Sequence, residues 1–244
     1  MNWRDEAIVL GGRQFGEGGL ILDVLTKTRG RRAGLVYGGA SRRKRAGYEP
    51  GNTLEVSWVG RLEEHLGRFD IAEPSMERAS RYLDAPDALA AIGAVSALLR
   101  GALDEGDAAG SALYEATEVL LDALEDGDVW PALYARWELG LLAALGFGLD
   151  LSACAISGEN DGLTHVSPKT GRAVRGSEAG EYLDRLFVLP AFLIDAGAPP
   201  GTTDLEEALR LTGYFIEQRL FAAVNQTTPD ARLRLIRRLE KRNT

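Results

Sequence analysis

The chain has 244 residues, 45% of them hydrophobic, and a formal net charge of −8. This length permits one domain or two with a sizeable core, and no run of about eighteen uncharged apolar residues predicts a membrane span. Asp5 and Glu6 stand where a signal peptide would be basic and then apolar, so we expect a cytoplasmic protein. Cys154 is the only cysteine, which excludes an internal disulfide and a metal cage built of cysteines.

Charge is distributed unevenly along the chain. Residues 27–45 hold eight cations and no anion, residues 84–128 hold eleven anions and one cation, and residues 229–244 hold six cations and two anions. Segregation of this kind says more about partners than the net charge does. A basic segment can bind a polyanion while the acidic remainder keeps the protein soluble.

Five short segments near the N-terminus are rich in Val, Ile and Leu and are separated by glycine-rich turns. They cover residues 6–14, 19–27, 31–39, 52–60 and 66–73. In the fourth segment Leu54, Val56 and Trp58 alternate with polar residues, so one face of that strand is expected to point inward. The pattern predicts a small closed or partly open β-barrel, and the strand count alone leaves an OB-fold and an SH3-like barrel open.

After Pro74 the apolar residues recur with a helical period. The predicted helices cover residues 87–103, 111–126, 131–146, 203–225 and 229–242. Thr203 and Glu206 have the spacing of a capping box. In the last helix we expect Leu233, Ile236 and Leu239 to form the apolar face. Between these helices, residues 150–190 form a glycine-containing irregular stretch with short β-like pieces, an unusual length for a plain loop.

The sequence SRRKR, residues 41–45, lies in the loop that joins the predicted third and fourth strands. Nucleic-acid phosphates attract such cations without sequence preference, and on β-barrels aromatic side chains add base stacking. The candidate phosphate contacts are Lys27, Arg29, Arg31, Arg32, Arg42, Arg43, Lys44 and Arg45. Tyr37, Tyr48 and Trp58 are the nearby aromatic residues, of which Trp58 fits a buried position better than a stacking platform. A solvated loop of surface arginines is the alternative.

The basic C-terminal helix is a weaker signal, because a solvated cationic face explains it as well as phosphate contact does. Its possible secondary contacts to DNA or a partner are Arg234, Arg237, Arg238 and Lys241. The acidic face of residues 104–128 is most simply solvated.

The residues that would carry catalysis are missing. The chain has neither of the glycine-rich nucleotide-binding motifs. His65 fits a turn or edge strand, and His165 together with Cys154 would supply only two zinc ligands. The sequence therefore predicts a protein that is not an enzyme and has no cofactor or metal.

The order of the motifs resembles the RecO family of DNA repair and recombination proteins. The features that carry the resemblance are Ala7, Val9, Leu10, Gly16, Glu17, Thr26, Gly30, Gly39, Ala40 and Arg42, followed by the segments WELGLLAALGFGLDLSAC and SPKTG. The resemblance implies an α+β multidomain fold. An N-terminal OB-fold-like barrel over residues 1–78 would precede an α-helical domain over residues 79–244, with a degenerate zinc-finger-like insert at 150–190.

The insert departs from the family pattern at the metal ligands. Cys154 is present, but Ser157 stands at the second cysteine position and the second pair falls near Arg175 and Glu178. We therefore predict no zinc and expect local packing to hold the insert. Leu163, Val166 and Val174 are the residues expected to provide that packing.

The resemblance also implies a function and partners. RecO-like proteins mediate recombination and gap repair without catalysis: they bind single- and double-stranded DNA and anneal complementary strands. They act with RecR, engage the C-terminal tail of the single-stranded-DNA-binding protein and help to load RecA. The alternative hypothesis is a protein–protein adaptor whose basic loop binds an acidic partner.

Overall fold

The structure is a computed structural model that describes residues 1–62 and 65–242. The chain forms two compact units. The first comprises Met1–Glu125 and Pro229–Leu235, and the second comprises Asp126–Thr228 and Ile236–Thr244. This division groups the barrel with the helices that follow it, so the boundary between residues 78 and 79 stays a prediction. In the part of the chain that the structure describes, no helix is both long and apolar enough to cross a membrane.

Five strands of the first unit form a closed barrel. They are β1 (Asn2–Phe15), β2 (Gly19–Thr26), β3 (Gly30–Val36), β4 (Thr53–Val59) and β5 (Gly67–Met76). Their order is β1-β2-β3-β5-β4, and β4 pairs back on β1 to close the ring. All pairings are antiparallel except the short one between β3 and β5. The predicted barrel is confirmed, and its strand order is OB-like.

Two stacked tryptophans fill one end of the barrel core. The rings of Trp3 and Trp58 lie 5.5 Å apart and nearly parallel, and Trp58 is buried as expected. Gly60 and Gly67 make room for this ring, because a Cβ at either position would lie within 2.3 Å of it. The alternation in β4 therefore places its apolar face inside the barrel, as the sequence predicts.

Three helices follow the barrel in the first unit: α2 (Arg78–Arg81), α3 (Pro86–Ala102) and α4 (Ala108–Asp122). The predicted helix at 111–126 thus begins earlier and ends in a 3₁₀ turn, Ala123–Glu125. Asp107 caps α4 by accepting a hydrogen bond from the N–H of Ala109.

The side chain of Arg78 links the barrel to these helices. It is 1% exposed, and its Nε lies 2.6 Å from a carboxylate oxygen of Asp122 on α4. Its Nη1 donates to the hydroxyl of Thr53 and to the carbonyl of Gly51 at the start of β4. A buried guanidinium needs such partners, since an unpaired buried charge costs several kcal/mol.

The second unit contains helices α5 (Trp130–Ala144) and α6 (Asp204–Phe215), joined by the stretch at 150–190. That stretch holds a small sheet of order β7-β6-β8, made of β6 (Leu163–Val166), β7 (Ala173–Arg175) and β8 (Phe187–Val188). Leu163, Val166 and Val174 are buried, as expected.

Two helix predictions need correction. The predicted helix at 203–225 is α6 followed by a π-helical turn, Ile216–Phe221, and it ends at Asn225 in the left-handed conformation. Thr203 is the N-cap, but its side chain makes no capping hydrogen bond, so the capping box does not form.

The apolar face of the last helix, α7 (Asp230–Arg242), differs from the prediction: Leu239 is buried, yet Leu233 is exposed. Leu235 and Arg232 take the inward positions instead.

Replacing Arg78 by alanine should destabilise the first unit by about 3 kcal/mol, because the change removes a buried charge together with its hydrogen bonds. Arg81→Ala on the same helix is the control, since that side chain is half exposed and its distance to Glu125 is 3.7 Å. Surface pairs of this kind contribute about 0–1 kcal/mol. Denaturant unfolding followed by tryptophan fluorescence measures both changes, and equal losses would contradict the anchoring role of Arg78.

Candidate nucleic-acid interface

The basic loop is a short helix. Residues Arg42–Arg45 form α1, a single turn between β3 and β4, and a 3₁₀ turn, Ala46–Tyr48, follows it. The sequence predicts a loop here; instead the N–H groups of Lys44 and Arg45 both donate to the carbonyl of Ser41, which closes a helical turn. All four cationic side chains are exposed. Within residues 1–62 and 65–242, none of them forms an ion pair.

The barrel provides α1 with a rigid base. The buried side chain of Asn52 donates to the carbonyls of Ala46 and Gly47, at 3.1 and 3.2 Å, and its oxygen accepts from the N–H of Ala79 at 2.9 Å. Gly47 packs so closely on β5 that a Cβ there would lie 2.5 Å from Pro74. The four cations therefore extend from a turn whose following residues, Ala46 and Gly47, are hydrogen-bonded to the barrel.

Two grooves of the first unit border α1. Arg43 and Lys44 line one of about 430 Å³ together with Tyr37; we name it the Tyr37 groove. Arg45 lines the other, of about 660 Å³, together with Arg100 of α3; we name it the Arg100 groove. Both volumes fall in the range of about 300–1,000 Å³ that is usual for small-ligand sites.

The three candidate aromatic residues have different environments. Trp58 is buried in the barrel. Tyr48 is also buried, and its hydroxyl donates to the carbonyl of Ala72 at 3.1 Å. Burial raises the pKa of this phenol, with a smaller contribution from Glu73. Tyr37 is 70% exposed and is the one of the three that can offer a ring face to a base.

The other four candidate cations contact the protein itself. Arg31 makes a two-pronged ion pair with Asp23, at 2.9 and 2.7 Å, and donates to the carbonyl of Leu103 at 2.7 Å. Its pKa is raised, first by the hydrogen bond to Asp23. Arg31 of β3 therefore links Asp23 of β2 to Leu103, the residue directly after α3.

Lys27 and Arg29 show a similar pattern. The ammonium of Lys27 lies 3.3 Å from Glu6, which also accepts from the hydroxyl of Tyr114 at 3.0 Å. The hydrogen bond from Lys27 to Glu6 raises the pKa of Lys27. Arg29 lies over the ring of Trp3. Arg32 is half-buried and is not without partners. DNA contact by these four residues stays a prediction, with weaker physical support than contact by α1.

Sequence reasoning missed Arg100. This residue is the lone cation of the acidic segment 84–128, and no local pattern connects it with residues 42–45. The fold brings it into one groove with Arg45. Its side chain is half exposed, and its Nε lies 3.3 Å from Asp23. Gly11 leaves it space, because a Cβ there would lie 2.9 Å from Nη1 of Arg100.

The four side chains of α7 that the sequence suggests as secondary contacts are exposed, whereas Arg232 of the same helix is buried. The four are Arg234, Arg237, Arg238 and Lys241. Exposure fits a solvated face and a secondary contact equally, so their role stays a prediction.

In the second unit, Cys154 lies close to Arg175 and Glu178, the residues at which the resemblance places a second pair of metal ligands. The thiol of Cys154 lies 3.2 Å from Glu178, and its sulfur accepts from the N–H of Arg175 at 3.4 Å. The guanidinium of Arg175 pairs with Glu178 at 3.2 Å and with Asp161 at 3.0 Å. Hydrogen bonds from Ser157 and then from Cys154 lower the pKa of Glu178.

The residues present do not fit zinc. A single thiol and one carboxylate supply too few ligands, and the guanidinium of Arg175 holds that carboxylate. Burial raises the pKa of Cys154, but backbone N–H groups of Arg175, Ser157 and Ile156 that donate to the sulfur outweigh it and leave that pKa lowered. Among the residues described, no group of three or more His, Cys, Asp or Glu side chains is placed to hold a metal ion.

The five strands form an OB-like barrel, an architecture that several oligonucleotide-binding proteins share. Comparison with known proteins makes the assignment specific. Residues 1–76 match the family described as "Recombination protein O N terminal", and residues 83–227 match "Recombination protein O C terminal".

Three relatives extend this match over the whole chain. The DNA repair protein RecO of Hyphomonas neptunium is 68% identical over 239 residues, which is 98% of each chain. That of a Ruegeria species is 47% identical over 245 residues, with 99% of this chain and 100% of the relative covered. That of Methylorubrum extorquens is 46% identical over 242 residues, 97% of each. The chain therefore belongs to the RecO family, whose members are non-enzymatic recombination mediators.

Introducing three cysteines in the insert, as Ser157→Cys, Arg175→Cys and Glu178→Cys, should create a zinc site. The four thiols would have the C-x-x-C spacing of structural zinc sites, and the backbone already brings Cys154 to the loop at 175–178. Metal analysis after purification without chelator should find about one zinc per triple variant and none in the unaltered protein. Stoichiometric zinc in the unaltered protein, or none in the variant, would contradict the account of the insert.

Proposed function

We propose that this protein binds single- and double-stranded DNA through the cations of α1 and anneals complementary strands during recombination and gap repair. Annealing requires no bond-making residue. It requires a cationic surface that reduces the repulsion between two phosphate chains. The observation that carries the proposal is the set of four exposed cations on α1, without ion pairs in the described chain, next to the exposed ring of Tyr37.

The relatives named as DNA repair proteins support this proposal. On the same family resemblance we propose that the protein acts in the cytoplasm with RecR, with the single-stranded-DNA-binding protein and with RecA. We also propose that residues 150–190 are a zinc-finger-like element in which the Arg175–Glu178 ion pair and the thiol of Cys154 take the place of the metal.

A small pocket in the second unit has the chemistry for the tail of the single-stranded-DNA-binding protein. Leu205 and Leu239 contribute apolar side chains, and Arg242 contributes a cation. The guanidinium of Arg242 lies 3.2 Å from the carbonyl of Gly127 at the same pocket. We propose that the apolar side chains of the peptide end contact the leucines and that its carboxylate contacts Arg242, on the side of the pocket away from Asp128, which also lines it.

Removing the α1 cations tests the central function. Fluorescence anisotropy of a labelled single-stranded oligonucleotide of mixed sequence should show binding that weakens steeply between two salt concentrations. The variant with Arg42, Arg43, Lys44 and Arg45 all changed to alanine should bind at least about tenfold more weakly at the lower salt concentration.

The matched control removes the same total charge elsewhere. It changes Arg81, Lys169, Arg172 and Arg210, all exposed, to alanine. This control should keep DNA affinity. Equal affinity in both variants would refute the α1 assignment. Binding of an acidic peptide but not of DNA by the unaltered protein would favour the adaptor hypothesis.

A further inference from the structure

The β1–β2 hairpin carries an exposed phenylalanine on the outer face of the barrel. Phe15 is the last residue of β1 and is 50% exposed. It pairs with Gly19, and the next residue, Leu20, belongs to the barrel core. Because side chains alternate along a strand and paired residues share a face, Gly19 and Phe15 lie on the outer face. The surface beside Phe15 is apolar, since a Cβ at Gly19 would lie 3.1 Å from the side chain of Leu35.

Tyr37 lies on the other side of Gly19. Val36 is a core residue and pairs with Leu20, so Tyr37, which follows Val36, is expected on the outer face next to Gly19. Its ring is 70% exposed. Neighbouring strands lie about 4.8 Å apart, which separates the backbones of Phe15 and Tyr37 by about 10 Å. Two exposed aromatic rings thus flank a glycine that has no side chain between them.

Both rings lie at the end of the barrel that carries α1. The N–H of Ala40 donates to the carbonyl of Gly18 at 3.3 Å, which joins the turn before α1 to the hairpin of Phe15. Tyr37 lines its groove together with two cations of α1. Arg13, two residues before Phe15 in β1, is exposed and forms no ion pair within residues 1–62 and 65–242. Cationic groups are therefore available near both rings.

The charges around α1 affect phosphates and bases differently. Exposed carboxylates line both grooves: Glu17 and Glu49 in the Arg100 groove, and Asp70, Glu73 and Glu77 in the Tyr37 groove. Because like charges repel, we expect a phosphate chain to stay on the exposed side of α1 and outside both grooves. The face of a base carries no net charge, so these carboxylates do not repel a base that stacks on an aromatic ring.

We infer that Phe15 and Tyr37 are two platforms on which bases of one DNA strand stack while α1 holds the phosphates of that strand. The inference rests on the proposed function and assigns to it the contacts with bases. Stacking uses the faces of the bases and leaves their hydrogen-bonding edges free. A strand held in this way can still pair with a complementary strand, as annealing requires.

Oligonucleotides that lack bases test this inference. A labelled single strand of mixed sequence is compared with a strand of equal length built of abasic nucleotides, which carries the same phosphates. The variants are Phe15→Ala and Tyr37→Ala. The matched controls are Leu83→Ala, at an exposed apolar residue, and Tyr182→Ala, at an exposed tyrosine. Thermal unfolding checks that all variants fold. If Phe15→Ala does not, Phe15→Leu replaces it, because leucine keeps an apolar side chain but has no ring.

The expected loss is confined to the strand that has bases. Phe15→Ala and Tyr37→Ala should each bind the mixed-sequence strand at least about fivefold more weakly than the unaltered protein does. Their affinity for the abasic strand should not change, and neither should the salt dependence of binding, because no phosphate contact is removed. Phe15→Trp should keep full affinity for the mixed-sequence strand, since tryptophan also offers a flat ring. The two controls should bind both strands as the unaltered protein does.

The outcomes distinguish this inference from the function on which it rests. Equal losses on both strands would mean that the rings shape the phosphate site, and unchanged binding to both would remove them from the DNA site. Either result overturns the inference, as does equal affinity of the unaltered protein for the two strands. A loss of RecR binding with intact DNA binding would assign Phe15 to a protein partner and would also overturn it. In all these cases the phosphate-binding role of α1 stands. If the unaltered protein binds neither strand at low salt, the proposed function fails first.

Discussion

A buried carboxamide fixes the surface on which the functional account depends. Asn52 is 1% exposed and directly precedes β4, and its side chain bonds to two other segments, the turn after α1 and the start of α2. Its own backbone bonds to Val9 of β1, where the register of the barrel shifts. The backbone of the basic turn is therefore tied to the barrel, so that contact with a phosphate chain would have to order only the side chains. Prior ordering of this kind reduces the entropic cost of binding.

Residues of the same type have different tasks because their neighbours differ. Arg31 and Arg45 belong to one basic segment of the sequence. Arg31 meets Asp23 across the barrel strands and is neutralised within the fold, whereas Arg45 meets no described anion and stays available to a ligand. Under the proposed function, a count of eight cations in the sequence therefore overstates the charge that the surface offers to DNA.

The sequence predicts the barrel well, because alternation in β4 and glycine-rich turns are local signals. It does not predict α1, since a single turn of four cations has no apolar period. Arg100 was missed for a different reason: its place beside Arg45 depends on how α3 packs against β1, which no local pattern encodes. The family resemblance assigns Cys154, Ser157, Arg175 and Glu178 to the positions of metal ligands, but the contacts among them follow only from the structure. The ion pair of Arg175 with Glu178 follows only from the structure.

The salt dependence of DNA binding tests the division between available and neutralised cations most directly. For single strands, each phosphate contact contributes about 0.7 to the slope of log K against log salt concentration. Lys44→Ala should lower the magnitude of that slope by about 0.7. Lys27→Ala, which removes the partner of Glu6, should leave the slope unchanged. A slope that falls for Lys27→Ala and stays constant for Lys44→Ala would contradict the account.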